Sequence, residues 1–136
     1  MEALMAFYTN GGVASIACPE GWHLPTRAEW VTLSNYLGGT DIAGGKLKEA
    51  GTAHWHSINK GATNESGFTA LPGGIKVNTA HYFDVIGYYG HFWGFEGDST
   101  SATNVSLTYY KYNFRGGDGN YSSYKYSGYS VRCLKD

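Results

Sequence analysis

The chain has 136 residues, a formal net charge of −1 and only 15% charged residues, so bulk electrostatics favour neither nucleic acid nor an anionic membrane as partner. Its 20 glycines and 12 tyrosines point to short strands and long, shaped loops rather than to an all-helical fold. No apolar run reaches the length that spans a bilayer, and residues 1–8 lack the basic start and long apolar run of a signal peptide.

Residues 3–8 read as a short strand or a helix start, and 9–12 as a turn. The stretch CPEGWHLPTRAEW (18–30) is the strongest local signal. Pro25 keeps the residue before it extended. Thr26 followed by Glu29 makes a capping box, in which the Thr hydroxyl takes one orphan amide and the Glu carboxylate reaches back to the Thr26 amide. Trp30, Leu33 and Leu37 then fall at helical spacing, which predicts a first helix over 27–37, and the rings of Trp22 and Trp30 are expected in the core. Gly38-Gly39 ends it. A second helix is expected over 41–50, capped by Thr40 or Asp41. Ile42, Leu47 and Ala50 are its apolar positions and Gly51 its stop. Gly44-Gly45 costs that helix up to about 1 kcal/mol per glycine, so packing must hold it, with a close helix approach at the glycines.

His54 and His56 would share one face of a strand, but no cysteine or carboxylate completes a metal set. Residues 64–67 are a polar turn with one acid and one amide, too few oxygens for calcium, which takes six to eight. A short strand is expected at 68–71, then a turn at 72–74 with 75–77 continuing the chain; 83–89 is an apolar stretch broken by Gly87, and Phe92-Trp93 plugs the core. In 105–114, Val105, Leu107 and Tyr109 alternate with Ser106, Thr108 and Tyr110, so the first set faces inward and Tyr110 and Tyr112 outward. In 129–134, Tyr129, Val131 and Cys133 share the inner face.

Several of these segments, taken in order, resemble one family. CPEGWHLPTRAEW, AGGKLKEAGTAHW (43–55), GATNESGFTALPGG (61–74), GHFW (90–93) and GYSVRCL (128–134) are similar to the signature of the Fibrobacter succinogenes major paralogous domain family. The resemblance covers residues 18–135. It implies one α+β domain over 1–136 with a C-type-lectin-like fold of the formylglycine-generating-enzyme type. Such a fold has two helices, short twisted antiparallel strands and long Gly-rich loops. It implies function only weakly, since one fold hosts many functions. The sugar-calcium tripeptides of the lectins are absent, and no cofactor is expected.

The same resemblance brings the first and last strands together. It implies a disulfide between Cys18 and Cys133, the other reading being two buried free thiols. Closing so long a loop contributes about 4–5 kcal/mol by the chain-entropy estimate. A disulfide implies an oxidising location, outside the cytoplasm. The family follows its Trp93 equivalent with two serines; here Gly94-Phe95-Glu96 stands instead.

Seven of the 12 tyrosines lie in 109–129, interleaved with Ser, Gly, Asn and Asp. This is paratope chemistry: Tyr supplies rigid contact area with a polar tip, and the small polar residues supply adaptable hydrogen bonds. The ligand-binding candidates are Phe95, Tyr110, Tyr112, Asp118, Asn120, Tyr121, Ser123, Tyr124 and Tyr126, clustered on one side. A Gly-rich surface loop packed on neighbouring strands is the plainer reading. The resemblance adds that relatives of this fold are diversified by retroelements that mutate adenines, a bias the 94–127 segment shares; ordinary drift is the other source.

The function expected is a non-catalytic ligand-recognition module, taking a protein or glycan on another cell or host surface. Its expected place is extracellular, on a bacterial cell surface or a phage tail. The alternative is a structural adhesin or pilus module. An oxidase needs reactive cysteines in a cleft, and a hydrolase built from His54, His56 and Asp84 has no supporting spacing. Single-stranded nucleic acid would need a basic groove beside its stacking rings, and Lys111, Arg115 and Lys125 against Asp118 do not make one.

Overall fold

The computed structural model describes residues 5–6, 18–76, 83–95, 102–116 and 128–136. It is an α+β arrangement whose described elements are two helices and three small sheets. In chain order these are β1 (Met5–Ala6), β2 (Trp22–His23), α1 (Arg27–Tyr36), α2 (Thr40–Leu47), β3 (Ile75–Lys76), β4 (Phe83–Asp84), β5 (Tyr89–Phe95), β6 (Ala102–Thr108), β7 (Tyr129–Ser130) and β8 (Leu134–Lys135).

The largest sheet has the order β1-β7-β5-β6. Its spine is the antiparallel β5–β6 hairpin, in register from Tyr89↔Thr108 to Phe95↔Ala102. β7 joins β5 in parallel at Phe92↔Ser130 and pairs antiparallel with β1. β2 pairs with β8, and β3 with β4. The β2–β8 pair closes the domain end to end, and the Cys18–Cys133 disulfide lies beside it, with Cα atoms 5.7 Å apart.

α1 starts where its capping box requires. The Glu29 amide donates to Thr26 Oγ1 at 3.2 Å, and the Thr26 amide donates to Glu29 Oε2 at 2.8 Å. Trp30 is the centre of the main core. Its ring lies about 6 Å from those of Phe68, Phe92 and Phe114, among Leu37, Leu47, Trp55, Val105 and Leu107. A second cluster gathers Leu24, Trp93 and Tyr129, with Cys18, Ile75, Phe95 and Val131 packed against it.

Several expectations are corrected. Trp22 is 44% exposed, because β2 is an edge strand whose one partner is β8. α2 ends at Leu47 rather than 50, since Lys48 turns extended. Its N-cap is Gly39, with no side-chain cap, and Ile42 faces solvent. The expected strand over 105–114 ends at Thr108, and that over 129–134 divides into β7 and β8. Residues 68–71 form only a single bridge, between Ala70 and Lys48.

The close approach at Gly44 and Gly45 is real, but loops make it rather than a helix. A Cβ on Gly44 would strike the backbone of Asn113 and Tyr112, and one on Gly45 the carbonyl of Gly61. That bareness lets the Gly45 amide donate to Tyr112 O and the Thr63 amide to Gly45 O. α2 therefore serves as the bench on which two loops are laid.

Candidate functional site

Those two loops, 56–63 and 109–114, meet the turn before β5 at one end of the β5–β6 hairpin. Backbone hydrogen bonds weld them: His56 N to Gly87 O at 2.8 Å, Lys60 N to Tyr109 O at 2.7 Å and Tyr109 N to Tyr88 O at 3.0 Å. Asn59 adds two more, its side-chain amide donating to Glu49 O and Gly51 O.

Beneath them lies Lys48, with no exposed surface. Its Nζ donates to Lys60 O and Thr108 O at 2.9 Å and to Lys111 O at 3.0 Å. It also sits 5.5 Å from the Trp55 ring centroid. An ammonium has three N–H groups, and here each has a carbonyl. Burial pushes its pKa down to about 8. One buried cation thus gathers the ends of β6 and both loops.

Above this floor aromatic rings form a continuous tier. His56 stacks on Tyr88, with centroids 4.6 Å apart. Tyr109 meets His56, Tyr88 and Tyr110 edge-on at 5.2–5.3 Å. Burial, and then a hydrogen bond with Tyr110, raise the Tyr89 phenol above its usual range. Lys111 lies 5.3 Å from the Tyr110 ring, and Lys60 5.1 Å from that of Tyr112. Tyr88, Tyr110 and Tyr112 remain exposed, as do Ile58 and Ile86 beside them.

Tyr110 and Tyr112 therefore face solvent as expected, but for another reason. β6 has already ended, and a turn, not strand alternation, turns them outward. Phe95 does not join them. It stands at the opposite end of β5, six residues or roughly 20 Å away at strand rise, half-buried against the Trp93 cluster. Asp118, Asn120, Tyr121, Ser123, Tyr124 and Tyr126 lie outside the described residues.

The other candidates are held by ordinary contacts. His54 pairs with Glu49 at 2.9 Å, away from the stacked His56. Asn64 is bonded through both ends of its amide to Thr69, which fixes the turn by side-chain bonds. Among the described residues no three His, Cys, Asp or Glu side chains are grouped to hold a metal ion, and no helix is long and apolar enough to cross a membrane.

Sequence reasoning missed Lys48, His56 and Tyr88 as parts of one face. The available signal was Lys48 itself, three residues before the Gly that was expected to end a helix and directly after the apolar Leu47. Its partners, being backbone carbonyls, leave no trace in sequence.

The sequence model of the Fibrobacter succinogenes major domain matches residues 2–135. No curated protein and no solved structure matches the chain.

Proposed function

Since the chain belongs to the Fibrobacter succinogenes major domain family, we propose that it is a non-catalytic ligand-recognition module. In this reading the fold is C-type-lectin-like, of the formylglycine-generating-enzyme type. The domain works outside the cytoplasm, on a cell surface or a phage tail, against a protein or glycan. The tyrosine-rich segment that begins at Tyr109 supplies the binding face, and retroelement diversification accounts for its composition.

One observation carries the proposal. Tyr110 and Tyr112 stand exposed on a backbone that α2, Lys48 and the β5–β6 hairpin hold fixed. Rigid aromatic side chains presented on a rigid support lose little entropy on binding. A patch of several exposed aromatics is seldom kept by a soluble protein without use. The Cys18–Cys133 disulfide favours an oxidising location.

Glycan and protein arrays test the reading. A ligand is expected, and a Tyr121→Ala/Tyr124→Ala variant should lose it while keeping the melting temperature. A chain that binds nothing on either array but assembles with itself would be a structural module instead. Retroelement diversification requires a reverse-transcriptase gene and a near-repeat of the 94–134 coding segment in the neighbouring DNA.

A further inference from the structure

The geometry points to a carboxylate-bearing polysaccharide as the ligand of the aromatic tier formed by His56, Tyr88, Tyr109 and Tyr110, with Lys60 and Lys111 reading the acid groups. This inference rests on the recognition reading above and names the ligand class for the described part of the face.

Three features carry it. The first is shape. Four rings adjoin in an unbroken row, with Tyr88 and Tyr110 open to solvent. The negative face of an aromatic ring suits the polarised C–H face of a sugar, and phenol tips beside it can bond hydroxyls. A row of rings suits a chain of sugars better than a single one.

The second feature is charge. Three ammonium groups lie at this end of the hairpin: Lys48 below, Lys60 over Tyr112 and Lys111 over Tyr110. Among the described residues no carboxylate pairs with any of them. Glu49 is engaged by His54, and Asp84 accepts from the Val85 amide. In a chain of net charge −1, the two surface ammonium groups of Lys60 and Lys111, with no carboxylate partner among the described residues, are complementary to an anionic ligand.

The third is preorganisation. Lys48 bonds the backbone carbonyls of both surface lysines, Lys60 and Lys111, so the main chain that carries the two cations is fixed before any ligand arrives. Two surface cations suit widely spaced carboxylates. They do not supply the charged groove that a phosphate backbone demands.

The test is titration of the purified chain with polygalacturonate, alginate and hyaluronan, with methyl-esterified polygalacturonate and a single-stranded oligonucleotide as comparisons. At least one acidic polymer should bind, and esterification should weaken binding to polygalacturonate if that is the polymer retained. Tyr110→Ala and Tyr88→Ala should each weaken binding about tenfold or more. Lys60→Gln and Lys111→Gln should weaken it several-fold and flatten its salt dependence, with melting temperatures held. Retention of none of the three polymers, indifference to the lysine changes, or equal binding of the oligonucleotide would overturn the inference. If an array ligand is lost in Tyr121→Ala/Tyr124→Ala but kept in Tyr88→Ala and Lys111→Gln, the recognition reading stands and this one fails.

Discussion

His23 Nδ1 lies 2.6 Å from Asp136 Oδ1, and the other nitrogen of the same ring lies 3.0 Å from Glu29. One imidazole thus ties the cap of α1 to the far side of the β2–β8 pair. Protonated, it donates to both carboxylates.

This linkage sets a pH window. Asp136, and then Glu29, raise the His23 pKa above its ordinary 6.5. The stabilisation is complete below about 6.5 and fades as pH rises through the raised value. Glu29 runs the other way. Burial pulls its pKa up, but bonds from the Thr26 amide and His23 outweigh it and leave it below the ordinary 4.5. Its contribution is present above about 4.5 and fades as pH falls through the lowered value. Urea midpoints measured from pH 3 to 9 should show His23→Gln losing stability relative to the parent mainly below neutrality, with the difference closing at high pH.

Lys48→Met should destabilise the domain by about 2–4 kcal/mol, since three carbonyls lose their donor in a buried site. Lys48→Arg should not rescue it, because a planar fork cannot replace a compact three-donor ammonium. Denaturant unfolding of both variants checks this; a native midpoint in Lys48→Met would show that water satisfies the carbonyls.

Gly44→Ala reverses a familiar sign. In a free helix the change gains about 1 kcal/mol. Here the new methyl would collide with the Asn113 and Tyr112 backbone, and overpacking typically costs 1–3 kcal/mol or more. A net loss of about 1–2 kcal/mol is expected on the same assay, with altered amide exchange at Gly45 as the local reporter.

Trp30→Ala should cost about 3–5 kcal/mol, as its ring is 2% exposed among three phenylalanines. Trp22→Ala, at an exposed edge, should cost under about 1 kcal/mol. Thermal unfolding of the pair separates the two, and equal losses would place Trp22 in the core after all.

What the sequence disclosed was whatever its neighbours in the chain decide. The Thr26–Glu29 box is an i, i+3 device, so it could be read directly. The inward Val105 and Leu107 followed from a two-residue period. Trp22 misled because an aromatic in a dense motif looks like core, whereas sheet order decides its burial. Ile42 misled because α2 is covered by loops on its glycine face, which hydrophobic spacing does not reveal. Tyr110 and Tyr112 were placed correctly through a strand that had already ended. Lys48 was out of reach because its partners are carbonyls 12, 60 and 63 residues away.

The anchors around 116–128 have a practical consequence. On one side Arg115 exchanges both backbone bonds with Ser106; on the other Gly128 does so with Lys76. Each clamp is made of main chain, so its strength does not depend on which side chains lie between. A foreign peptide spliced in place of 117–127 would leave the four clamp residues in the chain, so the two points at which a graft enters and leaves the domain are already defined by main-chain bonds.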